Sequence, residues 1–218
     1  MPAVFPSPLI ILTGLSLLVQ TACAADPAAA EPDVATEMRR IREDITTHPL
    51  SLSAGNLTGD AVIISFFDYQ CDHCKAAYPL LHDFVANDGK VRVVYVNYPF
   101  IGRDSFRAGL AVEAARAQGR AVPLHDALLR DDDTLDDARI LDLATLVGLD
   151  PAALEEEMRE REKSLLDHLP QVTAWFEELQ LEGTPVLVIG DQQLHGAVEV
   201  TQLAAAVSHV RATAQLTP

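Results

Sequence analysis

Residues 66–75 read Phe-Phe-Asp-Tyr-Gln-Cys-Asp-His-Cys-Lys, and this segment places two thiols, Cys71 and Cys74, three positions apart. An apolar run from Ala61 to Phe67 precedes them, and a helix-like pattern follows. At that spacing two cysteines can form a disulfide with each other, and a thiol at a helix N-terminus can be held as a thiolate. The segment therefore predicts a redox-active Cys71–Cys74 disulfide and thiol–disulfide exchange.

The residues of the motif predict different roles for the two cysteines. Cys71, at the helix start, lies near unpaired backbone N–H groups and the positive end of the helix dipole, which favour the thiolate. His73 can add a hydrogen bond or a positive charge, whereas the carboxylate of Asp72 disfavours a second anion. We therefore expect Cys71 to attack, His73 to assist it, Asp72 to modulate it and Cys74 to resolve the mixed disulfide. Asp68, just before the helix, is expected to have a structural role as its cap, and the alternative is a role in proton transfer.

Half of a zinc site is the main structural alternative for two cysteines at this spacing. A closed zinc site needs four ligands. The chain has no second pair of this kind, and the histidines His73, His82, His125 and His195 are not at ligand spacing. The sequence therefore predicts no metal site, and His125 and His195 are interpreted as structural.

The hydrophobic pattern predicts an α/β protein. Strands at 61–67 and 91–97 flank a helix at 71–85, and a strand–helix–strand unit of this length implies parallel neighbouring strands. A helical region follows, and the chain then returns to strands and a last helix. The predicted elements of this second part are helices at 105–117, 124–129, 137–147, 151–166 and 172–181, strands at 185–189 and 193–196, and a helix at 200–211.

The N-terminal region predicts export to the periplasm. Residues 9–19 form an apolar stretch too short to span a bilayer comfortably, and Ala22-Cys23-Ala24 offers a cleavage site, so residues 1–24 are interpreted as a signal peptide. A second interpretation makes Cys23 the lipidated residue of a bacterial lipoprotein. Residues 25–49 are then an Ala- and Pro-rich tether and an amphipathic helix, Val34 to Thr47. This helix packs on its own domain or mediates a homo-oligomer.

Charge and cysteine usage narrow the expected partners. The net charge is −16 over 218 residues, and a nucleic-acid surface needs a basic stripe, so no nucleic-acid partner is expected. Once Cys23 is removed or lipidated, only Cys71 and Cys74 remain, which is not the composition of a disulfide-stapled scaffold. The expected partners are exported substrate proteins that contain cysteines.

The segment at 66–75 resembles the active-site segment of DsbA-like thioredoxin-fold thiol:disulfide oxidoreductases, especially the ScsC-like subgroup. The resemblance implies a thioredoxin fold at residues 50–101 and 171–218, interrupted by an inserted α-helical domain at 102–170. It also implies a cis Thr184–Pro185 bond beside the cysteines, where both residues bind the substrate backbone, and no cofactor, because the cysteines carry the electrons. The resemblance continues in order through Tyr98-Pro99-Phe100-Ile101-Gly102, Ser105, His125-Asp126-Ala127-Leu128, Gly183-Thr184-Pro185 and Gly196-Ala197-Val198.

Asp72 and Thr184 leave the direction of exchange open. DsbA-like oxidases often carry proline at the position of Asp72, and Thr184 is more similar to the isomerase and reductase relatives. The resemblance also implies a membrane redox partner, either DsbB-like or DsbD-like. The alternative function is a copper-binding or chaperone-like module without catalytic turnover, since two thiolates suit Cu(I).

Overall fold

A mixed five-stranded sheet lies at the centre of the part of the chain that the structure describes. The structure, a computed structural model, describes residue 1 and residues 34–213. β2 and β3 pair in parallel from Ala61 opposite Val91 to Phe67 opposite Asn97, and the other neighbouring strands are antiparallel. The strand order is β1-β3-β2-β4-β5, with β1 (Leu52–Gly55), β2 (Ala61–Phe67), β3 (Val91–Asn97), β4 (Val186–Ile189) and β5 (Gln192–His195).

Helices cover both faces of this sheet. The predicted order, a strand–helix–strand unit followed by helices and then by two strands and a helix, agrees with the observed one. We call α3–α6, together with the short 3₁₀ turn Arg116–Gln118, the helical block. The helices are α1 (Val34–Thr47), α2 (Asp72–Asp88), α3 (Arg103–Ala115), α4 (Ala121–Leu129), α5 (Asp137–Leu146), α6 (Pro151–Glu178) and α7 (Val200–Thr213).

Alternating side chains of β2 divide the core into two layers. Ile63 and Phe67 pack with α2, α7 and the helical block. Ile64 and Phe66 point to the other face, where they pack with α1 and the C-terminal part of α6. A strand covered on both faces has no polar side, and this explains why its sequence is a continuous apolar run rather than an alternating one.

Helix α1 packs on its own domain. Ile41 and Ile45 are almost completely buried in the second layer. Trp175 of α6 donates a hydrogen bond from its Nε1 to Asp44 Oδ2 at 2.8 Å, which fixes α1 against α6. Oligomerisation through residues 34–47 stays a prediction, and it would have to use the face of α1 that these contacts leave exposed.

One prediction about secondary structure is wrong, and one strand was missed. The pattern predicted two helices, 151–166 and 172–181, but α6 is one helix of 28 residues with Pro170 inside it. Pro170 removes one helical hydrogen bond, and the burial of Leu165, Val172 and Trp175 on the same helix offsets this loss. The expected boundary between the inserted domain and the second thioredoxin segment therefore falls inside a helix. Strand β1, which pairs with β3, was not predicted.

The predictions for the N-terminal region lie outside the described residues. These are the signal peptide at 1–24, of which only Met1 is described, the role of Cys23, and the tether that precedes α1. Among the helices that the structure describes, none has the length and apolar character needed to cross a membrane.

Candidate active site

Cys71 is the N-cap of helix α2. Its backbone is extended, with φ −80° and ψ 111°, and its Sγ accepts a hydrogen bond from the Cys74 backbone N–H at 3.4 Å. The Cys74 N–H, one of the orphan donors of the first turn, therefore faces this sulfur. Both cysteines are free thiols, with 7% of Cys71 and 3% of Cys74 exposed, so Cys71 is the more accessible of the two.

The Thr184–Pro185 segment lies against the same sulfur. The Thr184–Pro185 peptide bond is cis, the conformation that the resemblance implied. Cys71 Sγ–H donates to the carbonyl oxygen of Thr184 at 3.5 Å, across 113 positions of sequence. The pairing of β2 with β4, which sets Phe66 opposite Val186, brings the start of β4 to the end of β2 and explains this approach.

Cys74 lies deeper than Cys71, and its environment keeps it protonated. Burial raises the pKa of the Cys74 thiol well above its ordinary value, whereas the Thr184 side chain and the Asp68 backbone act in the opposite direction. The Thr184 hydroxyl is itself buried and makes no hydrogen bond of normal geometry within the described residues. Cys74 is therefore suited to react after Cys71, once a disulfide at Cys71 has brought a second sulfur next to it.

His73 and Asp72, the two residues between the cysteines, both point to solvent. Both are exposed, and neither makes a hydrogen bond or ion pair with any residue in the described part of the chain. The structure therefore brings together Cys71, Cys74 and Thr184, and it leaves His73 and Asp72 at the rim. Their roles as assisting and modulating residues stay predictions about the encounter with a substrate.

Asp68 does not cap α2, and the prediction that it would is wrong, because Cys71 occupies the N-cap position. The Asp68 carboxylate is completely buried instead. It accepts hydrogen bonds from the Gln70 backbone N–H at 2.7 Å, the Ser105 hydroxyl at 2.6 Å and the Ile101 backbone N–H at 3.0 Å. These bonds tie the turn before Cys71 to the chain that follows β3.

A buried histidine supports the same turn from the helical block. The Tyr69 hydroxyl and His125 Nδ1 of α4 are 2.8 Å apart, and both residues are almost completely buried. Burial lowers the pKa of His125 to about 3, so the ring is neutral at physiological pH. Phe67, Tyr78 and Tyr95 surround it. The structural interpretation of His125 agrees with this environment.

A cleft of about 490 Å³ opens beside the cysteines. It runs between the first turns of α2 and the end of α4, with Asp72 at its edge. Its lining contains both apolar and charged residues. The apolar ones are Ala76, Pro79 and Leu129, and the charged ones are Asp72, Lys75, Arg130 and Asp132. This cleft gives a substrate chain room beside Asp72 and Lys75, on the side of the helical block.

Sequence comparison identifies the family. The sequence profile described as DSBA-like thioredoxin domain matches residues 62–208, about two thirds of the chain. This protein belongs to the DSBA-like thioredoxin domain family. The match contains both cysteines, the cis proline and the whole helical block, and the expected thioredoxin-like fold with added helices is confirmed.

Solved structures agree with membership of the DSBA-like family. A thioredoxin-like oxidoreductase from Silicibacter pomeroyi is 34% identical, with a TM-score of 0.73 over 78% of this chain and 98% of that one. The catalytic domain of Proteus mirabilis ScsC is 28% identical, with a TM-score of 0.69 over 80% of this chain and 98% of that domain. DSBA-like proteins of this kind are disulfide oxidoreductases.

One curated relative is a much longer protein, and this chain matches only a part of it. Na(+)/H(+) antiporter NhaA 3 of Salinispora tropica is 27% identical over 158 residues, which is 72% of this chain and 24% of that protein. The chain thus spans about a quarter of the length of this relative. The likeness concerns a DSBA-like portion of a larger protein, and nothing about transport follows from it for this chain.

Among residues 34–213 no group of three or more His, Cys, Asp or Glu side chains could hold a metal ion.

The supporting contacts of Asp68, Tyr69 and Gln70 are what sequence reasoning missed. The available signal was that three polar-tipped residues stand in succession at the end of an otherwise apolar strand.

Proposed function

We propose that this protein is an exported protein thiol–disulfide oxidoreductase in which Cys71 and Cys74 are the redox pair. The observation that carries the proposal is the position of Cys71 Sγ, between the Cys74 N–H at 3.4 Å and the Thr184 carbonyl at 3.5 Å. An N-cap sulfur at the start of a helix is an activated nucleophile. Membership of a family of disulfide oxidoreductases supports the same chemistry.

The reaction needs no group beyond the two cysteines. The Cys71 thiolate attacks a substrate disulfide, an S–S bond forms to Cys71, and one substrate sulfur leaves as a thiolate that takes up a proton. Cys74 then loses its proton and attacks Cys71 Sγ, which releases the second substrate thiol and leaves the Cys71–Cys74 disulfide. Two electrons pass from the protein to the substrate, and the reverse sequence oxidises a substrate dithiol.

The Thr184 backbone and the cleft beside Asp72 support a binding mode for the substrate. In this proposal an extended substrate segment passes alongside Thr184 and Pro185, and the residues next to its cysteine enter the cleft. The exposure of the His73 ring supports a role for it as a donor to the leaving sulfur. In this binding mode the protein contacts the backbone of the substrate rather than particular side chains. Many different proteins could therefore serve as substrates.

Turnover of the redox pair requires a second protein. The proposal includes a membrane redox partner, DsbB-like if the pair is reoxidised and DsbD-like if it is re-reduced, in the periplasm. Fractionation of cells that express the full chain tests the location. Recovery of the chain from the periplasmic fraction is expected, and recovery from the cytoplasm alone would contradict it.

Two activity assays with cysteine variants test the proposed reaction. The wild-type chain should either oxidise a reduced model protein or reduce insulin, and the faster of the two assays gives the direction. Cys71→Ser and Cys74→Ser should lose this activity, whereas Cys23→Ser, outside the redox pair, should retain it. A wild-type chain inactive in both assays would contradict the proposal.

A further inference from the structure

The residue before Cys71 is bound to the helical block by a reciprocal pair of hydrogen bonds. Gln70 Nε2 donates to the backbone carbonyl of Leu135 at 3.2 Å, and the Leu135 backbone N–H donates to Gln70 Oε1 at 3.4 Å. On the other flank of the motif, Lys75 Nζ donates to the carbonyl of Asp133 at 2.9 Å. Both flanks of the cysteine motif are therefore attached to the connection between α4 and α5.

This connection, which we call the 131–135 segment, is itself fixed in place. The Leu135 side chain is completely buried, and Asp131 forms an ion pair with Arg139 of α5. Asp136, the next residue, caps α5 by accepting from the Arg139 backbone N–H at 2.8 Å. Because both ends of the 131–135 segment are anchored, its backbone can resist a displacement of Gln70.

We infer that Gln70 is a positioning residue that holds the Cys71 turn in its dithiol geometry through Leu135. This inference rests on the proposed function of the Cys71–Cys74 pair. It assigns to the helical block a part in setting the thiol–disulfide equilibrium, in addition to any part in binding substrates.

The contacts of Cys71 in the dithiol determine which way Gln70 should shift the equilibrium between the dithiol and the disulfide. Both cysteines are free thiols, and Cys71 Sγ caps α2 by accepting the Cys74 N–H. In the disulfide this sulfur is bonded to Cys74 Sγ and cannot become a thiolate, so it is a weaker hydrogen-bond acceptor than the Cys71 thiolate of the reduced pair. A restraint that keeps the turn in the capping geometry therefore favours the dithiol over the disulfide.

A second glutamine offers a matched control. Gln118 Nε2 donates to the Asp150 carbonyl at 3.2 Å, and the Asp150 backbone N–H donates to Gln118 Oε1 at 2.9 Å. The chemistry is the same reciprocal pair, but it joins two parts of the helical block to each other. Replacement of Gln118 thus removes the same number of hydrogen bonds without touching the flanks of the cysteine motif.

The test is a glutathione redox titration of the full chain, with Cys23 replaced by serine and the thiols counted by alkylation and mass spectrometry. Reduction of the disulfide by two glutathione molecules gives the dithiol and one glutathione disulfide. Gln70→Met should lower the equilibrium constant of this reduction about fivefold, the scale of one net hydrogen bond. Gln118→Met should leave the equilibrium constant unchanged. Gln70→Glu keeps an acceptor for the Leu135 N–H but sets a carboxylate oxygen against the Leu135 carbonyl, so it should lower the equilibrium constant at least as much as Gln70→Met does.

The outcomes separate this inference from the proposed function. A wild-type chain that exchanges no disulfide with glutathione would contradict the proposed function. If the wild type and Gln118→Met exchange normally, a Gln70→Met equilibrium constant equal to that of the wild type contradicts the inference alone. Thermal unfolding identifies a variant that does not fold, and Gln70→Glu, with the more conservative change, then decides by the same criterion.

Discussion

The Tyr69 hydroxyl lies 2.8 Å from His125 Nδ1, and this bond joins the turn before the cysteines to helix α4. His125 Nε2 is buried without a hydrogen-bond partner in the described residues, so Tyr69 is the polar contact of that ring. Together with Asp68–Ser105 and Gln70–Leu135, the bond makes three successive residues before Cys71 depend on distant parts of the chain.

Tyr69→Phe should destabilise the protein. The change leaves both ring nitrogens of His125 unpaired in an apolar environment, and an unsatisfied buried group costs about 1–3 kcal/mol. Urea denaturation should show this loss in the free energy of unfolding. Tyr98→Phe removes a hydroxyl from a half-buried tyrosine with no hydroxyl contact in the described structure and should cost much less. Equal losses in the two variants would contradict this role of the Tyr69–His125 bond.

His125 should make stability fall in mildly acidic solution. Burial lowers the pKa of His125 to about 3, against about 6.5 for an ordinary histidine, and the nearby Asp126 opposes this effect. Between these values the unfolded chain binds a proton that the folded chain excludes. The contribution is complete above pH 6.5 and is lost as the pH falls, by up to ~1.4 kcal/mol per pH unit.

Urea denaturation between pH 6.5 and pH 5 checks this sign. His125→Phe should show a smaller decrease in the free energy of unfolding over this interval than the wild type. The matched control is His195→Gln, at an exposed position in β5, which should keep the wild-type slope. A His125→Phe slope identical to the wild-type slope would show that His125 does not control the pH dependence.

Asp68→Asn should weaken the turn before Cys71. The carboxylate accepts two hydrogen bonds on Oδ1 and a third, from the Ile101 N–H, on Oδ2. An asparagine turns an N–H₂ group toward one of these donors, and the lost charge-assisted bond costs about 1.5–3 kcal/mol. Calorimetry should show a lower unfolding temperature. Asp83→Asn, at a side chain that is 71% exposed, is the control, and a matching decrease there would contradict the account.

Thr184→Val should slow the resolving step. The Thr184 side chain opposes the large rise that burial causes in the pKa of Cys74, so its loss makes the Cys74 thiolate rarer. Because the Thr184 hydroxyl makes no hydrogen bond within the described residues, the expected decrease in rate is smaller than the roughly fivefold that loss of one net hydrogen bond gives. The measurement is the release of glutathione from a Cys71 mixed disulfide. Thr145→Val, which removes a hydroxyl from an exposed position in α5, should have no effect, and an unchanged rate in Thr184→Val would refute the prediction.

The two long strands of the sheet, β2 and β3, were predicted well, because the hydrophobic pattern of the sequence determines where such strands form. β2 is apolar except for Ser65, β3 contains four valines, and the observed bounds of both strands equal the predicted ones. β1 was not predicted because only Leu52 of its four residues is buried, so its strand form comes from pairing with β3. The pattern predicted two helices where α6 is one, because packing along the whole helix outweighs the local effect of Pro170.

Part of the candidate site could be predicted from the sequence, and part of it could not. The Cys71–Cys74 pair and Thr184–Pro185 are local motifs, so spacing and resemblance were enough to select them. The contacts of Gln70 with Leu135 and of Tyr69 with His125 join residues 65 and 56 positions apart. No periodicity in the sequence indicates which distant residues such side chains meet, and only the folded chain reveals them.

Trapping of a mixed disulfide tests the central claim, that Cys71 attacks and Cys74 resolves. With Cys23 replaced by serine in both chains, Cys74→Ser and Cys71→Ser are incubated with insulin, and disulfide-linked adducts are counted by mass spectrometry without reductant. The account predicts a stable adduct through Cys71 in Cys74→Ser and almost none in Cys71→Ser, because Cys74 is more deeply buried and its thiol is protonated. Equal adduct yields in the two variants, or an adduct formed only through Cys74, would contradict it.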